Sequence, residues 1–140
     1  MNTITVETLV RAPIEKVWDC WNNPKHIVCW CFASEDWEAP NAENNLQVGG
    51  IMKIRMSAKD KSSGFDFTGI YTALHHQELI EYDIFERGGR HVKIEFAKVP
   101  EGTKVTETFD PETENSLELQ RNGWQAILNN FKKYVENKSS

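Results

Sequence analysis

The feature that most constrains the fold is a series of five segments in which apolar and polar residues alternate. Alternation with a period of two is typical of β-strands with one buried face. The connecting sequences "KDKSSG", "HHQE", "RGGR" and "PEGT" are short and carry turn chemistry. Because such short connections join neighbouring antiparallel strands, the pattern predicts an antiparallel meander. Its strands are expected at residues 51–58, 64–74, 79–86, 91–99 and 103–110.

The segments before the meander predict one strand and two helices. Residues 3–10 alternate and are rich in β-branched side chains, which indicates a first strand. A helix is expected over residues 12–23, with Pro13 at its first helical position. Asn23-Pro24 should end that helix, because a residue before proline avoids helical angles. A short second helix is then expected around residues 24–28.

Two further segments complete the predicted architecture. Residues 34–40 predict a short strand, and residues 41–50 read as a polar loop. Residues 114–137 carry apolar side chains at helical spacing, which predicts a long amphipathic helix ahead of a frayed tail at 138–140. The expected fold class is therefore α+β: a curved antiparallel sheet of about seven strands wrapped around the C-terminal helix. Residues 1–140 are expected to form one domain.

The charge distribution argues against several classes of partner. The net charge is -5, and the lysines and arginines are scattered among acidic residues. A nucleic-acid-binding protein normally shows a basic face, so neither nucleic acid nor an anionic membrane is expected as a partner. The N-terminus lacks the basic start and apolar run of a signal peptide, and three cysteines is an odd number. These features predict a reduced, cytoplasmic protein. An exposed edge strand could support a dimer, so the expected state is a monomer or a homodimer.

The ordered set of segments resembles a known family. It comprises "APIEKVWDCW", Trp30, "LQVGGIMKIRM", "FTGIYTALHHQELIEYDI" and "GWQAILNNFKKYV", and it covers nearly the whole chain. Together these segments are similar to the activator of heat-shock-protein-90 ATPase homologue family, within the START-like (SRPBCC) helix-grip superfamily. The resemblance implies a deep, mostly apolar cavity between the sheet and the last helix. Members commonly have two tryptophans where this chain has Trp30 and Cys31.

The resemblance leaves three functions open. The first is binding of a hydrophobic small molecule, lipid-like or polyketide-like, in the cavity. The second is docking to a chaperone, as the family name implies. The third is cyclase-type or hydrolase-type chemistry with a cavity carboxylate, although the chain is more readily interpreted as a non-enzyme because it lacks a recognisable nucleophile–base pair. We also find no phosphate-binding glycine loop or dinucleotide motif, so no cofactor is expected.

Strand alternation and the apolar face of the last helix select most of the candidate cavity residues, and the resemblance implies Trp30 and Cys31. Five tryptophans and seven phenylalanines are a large aromatic content for a domain of this size, and alternation places one apolar set on each strand inward. From the residues alone, a filled core and an open pocket remain equally acceptable for each position. The predicted ligand-binding residues are Trp30, Cys31, Met52, Ile54, Met56, Phe67, Tyr71, Tyr82, Phe96, Glu107, Trp124 and Leu128.

Three positions depart from these patterns. Glu107 shares a face with Val105 and Phe109, so it is either a cavity carboxylate with a raised pKa or, as the favoured interpretation, turned outward by a bulge or held in an ion pair. Gly69 within a strand suggests a bend or bulge. Gly123 within the last helix indicates close helix–sheet packing, a kink, or room for a ligand.

The stretch "HIVCWCF" raises the question of a metal or redox site. Cys29 and Cys31 are one residue apart, and a structural zinc site normally needs a second, correctly spaced pair of ligands. A disulfide over such a short loop would be strained. We therefore predict no metal site and interpret the cysteines as small apolar side chains beside Trp30 in a wall or lip of the cavity.

Overall fold

A seven-stranded antiparallel sheet and one long helix dominate the computed structural model, which describes residues 3–84 and 90–138. The order of elements confirms the predicted α+β helix-grip fold. The elements are β1 (Ile4–Val10), α1 (Ile14–Asn22), α2 (Pro24–Ile27), β2 (Trp37–Asn44), β3 (Ile51–Ala58), β4 (Gly64–His75), β5 (Leu79–Ile84), β6 (His91–Val99), β7 (Gly102–Phe109) and α3 (Leu117–Asn137).

The sheet has the strand order β1-β7-β6-β5-β4-β3-β2. The run from β3 to β7 is the predicted meander, in which each strand pairs with the next along the chain, and β2 extends it by pairing with β3. β1 joins the far edge by pairing with β7 from Ile4–Phe109 to Val10–Thr103. The segment that holds α1 and α2 therefore connects the two opposite edges of the sheet.

Curvature of the sheet is produced by irregularities in two strands. The β4–β5 register shifts between Tyr71 and Ala73, and the β2–β3 register shifts between Glu38 and Asn41. Such bulges bend a strand and increase its twist. Gly69 itself stays in register, so the predicted irregularity lies just beyond it. A Cβ at Gly69 would lie 2.7 Å from the Tyr82 ring, so the glycine is needed for the close approach of that ring.

Two predicted strands differ from those observed by more than one residue at an end. β2 covers residues 37–44, so residues 41–44 are part of a strand and were wrongly assigned to a loop. The alternation is weak here because β2 is an edge strand, and the outer side of an edge strand tolerates polar residues. β5 is observed to Ile84, and the predicted continuation to residue 86, with most of the "RGGR" turn, lies outside the described residues.

The helix boundaries follow from local side chains. α1 begins after Pro13, which occupies the N-cap and not the first helical position. Asn23 ends α1 with an extended backbone and accepts a hydrogen bond from the Lys25 N–H at the start of α2. α3 begins after Ser116, whose hydroxyl accepts from the Leu119 N–H at 3.1 Å. The chain ahead of Ser116 is therefore a connecting segment, not helix as the apolar periodicity predicted.

The core lies where α1 and α3 cover the sheet. α3 packs against β1 and α1, and its side chains Leu128, Phe131 and Val135 are fully buried. Val17 of α1 is fully buried as well. Within residues 3–84 and 90–138, no helix has the length and apolar character that crossing a bilayer requires.

Candidate functional site

An apolar cavity of about 350 Å³ lies between the curved sheet and the N-terminal half of α3. On the sheet side, its walls come from β3, β4, β5 and β7. The other walls come from Gln120, Trp124 and Ile127 of α3 and from residues 21–31 of the segment between β1 and β2. Phe65 is 48% exposed although it lines the cavity, and Asn115 is exposed too. The cavity therefore opens to solvent where the start of β4 faces the segment ahead of α3.

Most of the residues predicted from the sequence come together around this cavity. Its lining includes Trp30, Cys31, Met52, Ile54, Met56, Phe67, Tyr71, Tyr82, Glu107 and Trp124. Phe96 instead packs edge-on against Trp18 at 5.1 Å and Trp21 at 5.8 Å, and Leu128 is fully enclosed in the core. The placement of Phe96 and Leu128 in the cavity wall was therefore wrong, because α1 covers that end of the sheet.

The sequence reasoning missed two kinds of lining residue. Apolar members of the wall were not named as candidates, because neither alternation nor helical spacing distinguishes a cavity wall from a filled core: Trp21, Ile27, Phe65, Ile80, Ile84 and Ile127. Polar members give no periodic signal because most lie in loops or near the opening: Asp66, Arg90, Glu112, Asn115 and Gln120. Gln120 fixes the opening, since its amide nitrogen donates to the Glu112 carbonyl at 3.1 Å and its oxygen accepts from the Glu112 N–H at 2.8 Å.

Aromatic contacts hold the cavity walls in place. The Trp30 indole N–H donates to the Cys20 carbonyl at 2.9 Å, and its ring packs at 4.9 Å from Trp21. On the helix side, Trp124 stacks on Phe109 with ring centroids 3.9 Å apart. These contacts orient the rings without requiring a ligand, so the walls are preorganised.

Tyr71 has a structural hydrogen bond. Its hydroxyl donates to Asn44 Oδ1 at 2.5 Å, and Asn44 Nδ2 in turn donates to the Asn22 carbonyl at 2.7 Å. The chain of bonds ties β4 to the edge strand β2 and to the end of α1. The polar end of Tyr71 is thus engaged with the protein and does not face the cavity as a free group.

Glu107 points into the cavity, contrary to the favoured interpretation of the sequence. The pairing of β7 with β1 and β6 is continuous through Glu107, which lies opposite Val6 and Ile94, so no bulge turns it outward. The residue is 5% exposed, and within the described chain neither a hydrogen bond nor an ion pair reaches its carboxyl group. A buried carboxyl group without a partner is costly when ionised.

The electrostatics of the three polar wall residues follow from this burial. Burial raises the pKa of the Glu107 carboxyl to about 8. Burial, with a smaller contribution from the Glu107 charge, raises the pKa of the Cys31 thiol to about 12. The same two causes, burial first, raise the pKa of the Tyr82 phenol. All three groups are therefore held in their neutral forms at neutral pH.

The cysteine–tryptophan stretch lies only partly in the cavity wall, and the interpretation of Cys29 as a wall or lip residue was wrong. Trp30 and Cys31 are buried and line the cavity, whereas Cys29 is exposed. His26 contacts other groups, with Nδ1 at 2.6 Å from the Tyr134 hydroxyl and Nε2 at 3.3 Å from Asp19. Across the described residues, no group of three or more His, Cys, Asp or Glu side chains is placed to hold a metal ion.

The geometry can be compared with that of known proteins. The sequence model for "Activator of Hsp90 ATPase homolog 1-like protein" matches residues 11–136. A solution structure from Cytophaga hutchinsonii is 51% identical, with 98% of this chain and 94% of that one covered and a TM-score of 0.83. None of the curated proteins compared with the chain matches it.

Two further structures show how widely the fold extends. The AHSA1-like protein from Aeromonas hydrophila is 40% identical with a TM-score of 0.89, over 99% of both chains. A Chromobacterium violaceum protein is 24% identical and shares the fold with a TM-score of 0.87, over 99% of this chain and all of that one. The match of the sequence model over most of the length, with these relatives, confirms the resemblance found in the sequence. The chain therefore belongs to the family of Activator of Hsp90 ATPase homolog 1-like proteins.

Proposed function

We propose that the protein binds a hydrophobic small molecule in the cavity between the sheet and α3. The observation that carries the proposal is the preorganised apolar cavity of about 350 Å³ with an opening beside Phe65. Ligand sites are typically concave, mostly apolar spaces of ~300–1,000 Å³ with a few polar groups. The helix-grip fold of this family typically binds hydrophobic ligands.

The size and lining of the cavity limit the ligand. A cavity of ~150 Å³ accepts benzene, so the larger space here suits a molecule of two or three fused rings or a medium-length alkyl chain. Met52 and Met56 lie among the aromatic walls. Because methionine side chains are flexible, they can adapt the wall to the outline of a ligand.

Fluorescence titration with 1-aminoanthracene tests this proposal. We expect saturable binding to the wild type and at least a tenfold loss of affinity in Ile54→Phe, in which the added ring occupies the cavity. Ile51→Phe is the matched control, because Ile51 lies on the same strand but is 47% exposed. Its affinity should stay unchanged.

A second filling variant guards against misfolding of the first. Overpacking in a core costs about 1–3 kcal/mol, so Ile127→Trp on α3 provides an independent obstruction, and near-ultraviolet circular dichroism checks each fold. Equal affinities in the wild type and both folded filling variants would show that the probe binds elsewhere. No binding of 1-aminoanthracene to the wild type would contradict the proposal and turn attention to docking on a chaperone.

A further inference from the structure

Two oxygen-bearing side chains in the cavity wall have no hydrogen-bond partner among residues 3–84 and 90–138. Tyr82 and Glu107 are each 5% exposed, and among the described residues no hydrogen bond is made by the Tyr82 hydroxyl or the Glu107 carboxyl. Tyr71, whose ring packs 6.1 Å from that of Tyr82, differs because its hydroxyl is bonded to Asn44. Since buried polar groups are normally satisfied, an unpartnered pair at one site requires an explanation.

The two oxygens remain accessible from the cavity. Among the described residues, Asn22 Oδ1 is an example of a polar side-chain atom that is both fully enclosed and without a partner. The Tyr82 and Glu107 oxygens also lack a partner there, but they are not fully enclosed. Both side chains line the same apolar space, and they are close enough for the charge of Glu107 to raise the pKa of Tyr82. A molecule in the cavity therefore meets both groups on one wall.

The state of these groups decides what they can bind. An ionised carboxylate without a partner in an apolar site is expensive, so the neutral carboxylic acid is favoured, in agreement with the raised pKa. A neutral carboxylic acid carries an O–H that can donate, and so does the Tyr82 phenol. The wall therefore presents two hydrogen-bond donors, which call for an acceptor on the ligand.

The other ionisable groups around the cavity lie on several elements. Cys31 follows α2 and is held neutral by burial. Asp66 and Tyr71 belong to β4, Arg90 precedes β6, and Glu112 follows β7. The facing residues of α3 do not titrate, since they are Gln120, Trp124 and Ile127. The pH dependence of binding in the neutral to alkaline range should therefore be dominated by Glu107.

We infer that the cavity binds apolar molecules carrying a neutral carbonyl oxygen, which accepts hydrogen bonds from the Glu107 carboxylic acid and the Tyr82 hydroxyl. This inference rests on the proposed function and specifies its ligand class. An apolar site that keeps a carboxylic acid neutral is suited to donating a hydrogen bond to a carbonyl oxygen. With its carbonyl oxygen bound there, the apolar remainder of the ligand contacts the aromatic and methionine side chains of the wall.

Two other ligand classes fit the wall less well. A cationic amine would need Glu107 to ionise inside the apolar wall, and both charges would have to leave water. An anionic carboxylate would have to leave water and would meet Asp66 and Glu112, as well as Arg90, in the lining. Both classes serve as alternatives that the test separates.

The test compares three fluorescent probes on the same aromatic frame. Prodan, 6-propionyl-2-dimethylaminonaphthalene, carries a ketone; 2-dimethylaminonaphthalene lacks it; 6-dimethylamino-2-naphthoic acid replaces it with a carboxylate. At about pH 6.5 the wild type should bind prodan about 10-fold more tightly than 2-dimethylaminonaphthalene, because a hydrogen bond in an apolar site adds about 1.5 kcal/mol. The carboxylate probe should not share this advantage.

Variants assign the advantage to the two side chains. Glu107→Gln retains a neutral N–H donor and should keep the preference for prodan, whereas Glu107→Leu should abolish it. Tyr82→Phe should reduce it. In the wild type the preference should fall as the pH rises through about 8 and Glu107 ionises, while in Glu107→Gln it should persist to high pH.

The outcomes separate the inference from the proposed function. Equal binding of prodan and 2-dimethylaminonaphthalene would overturn the inference and leave cavity binding intact. Preferred binding of the carboxylate probe, or a preference for prodan unchanged in Glu107→Leu, would overturn it too. Binding of none of the three probes would contradict the proposed function itself.

Discussion

The two halves of α3 have the same amphipathic pattern but face different surroundings. In the half from residue 128 to residue 137, Leu128, Phe131 and Val135 are fully buried, and we call it the closed half. In the half from residue 117 to residue 127, Trp124 and Ile127 are partly buried and border the cavity, and we call it the open half. The helix is continuous, so the difference arises from what lies opposite.

The closed half is covered by aromatic rings from the segment between β1 and β2. Phe131 packs edge-on against Trp21 and Trp30, each with ring centroids 4.8 Å away. Among the described residues, the ring partners of Trp124 in the open half come from the sheet instead and are Phe67 and Phe109. Trp124 stacks on Phe109, and an added Cβ at Gly123 would meet no heavy atom of the described chain within 4 Å. The comparison shows that an apolar helix face indicates the inward direction but not whether the space beneath it is filled.

The largest expected effect is the contrast between two adjacent residues at the junction of the halves. Leu128→Ala should lower the free energy of unfolding by about 2–5 kcal/mol, because it leaves a cavity in packed surroundings. Ile127→Ala should cost only about 1 kcal/mol, since Ile127 already borders empty space and has fewer contacts to lose. Urea unfolding of both variants measures the difference. Equal losses would mean that the open half is as tightly packed as the closed half.

A change beneath the open half should stabilise the protein. Folding raises the pKa of Glu107 from an ordinary value of 4.5 to about 8. The contribution of the protonated Glu107 to the free energy of unfolding is therefore fully present below about pH 4.5 and is lost as the pH rises to about 8. Glu107→Gln avoids this loss of stability, because glutamine does not ionise. At about pH 7 the variant should therefore be more stable than the wild type by ~3 kcal/mol, at 1.36 kcal/mol per pH unit.

Unfolding curves at several pH values test the sign of this effect. The difference between Glu107→Gln and the wild type should grow between about pH 4.5 and about pH 8 and then level off. Glu95→Gln is the control, because Glu95 is exposed on the neighbouring β6, and its effect should be small at every pH. A stability difference that does not change with pH would contradict the burial of an unpaired Glu107 carboxyl.

The smallest expected effect concerns Gly123 in the open half. Gly123→Ala should raise the free energy of unfolding by up to about 1 kcal/mol, because alanine is the better helix former and the added methyl group has open space. The reverse change, Ala126→Gly, is the control and should lower it by a similar amount. Thermal unfolding of the two variants measures both. Destabilisation by Gly123→Ala would show that this side of the open half packs against another group.

Much of the fold could be predicted because hydrophobic periodicity and turn chemistry are local signals. The alternating strands 51–58 and 91–99 were located to the residue, and Met52 and Ile54 were correctly placed on the inner face. Residues 41–44 were missed, since an edge strand pairs on one side and need not alternate clearly. Local patterns thus predict a strand best where it pairs with another strand on both sides.

The candidate site was less predictable because it depends on contacts between distant segments. Phe96 and Phe67 look alike in the sequence, but Trp18 and Trp21 cover Phe96 while Phe67 faces the cavity. Glu107 was correctly identified as unusual, yet the absence of a bulge in β7 could be read only from its pairing with β1 and β6. The extent of an unfilled space follows from which rings lie opposite, which alternation does not encode.

The most direct test of the open cavity is a crystal structure of the protein under xenon pressure. Xenon enters dry apolar cavities of sufficient size. We expect strong xenon density bounded by Met52, Ile54 and Trp124, with no comparable density around Leu128 and Phe131 in the closed half. Side chains filling the space beneath Trp124, with no xenon there, would contradict the account.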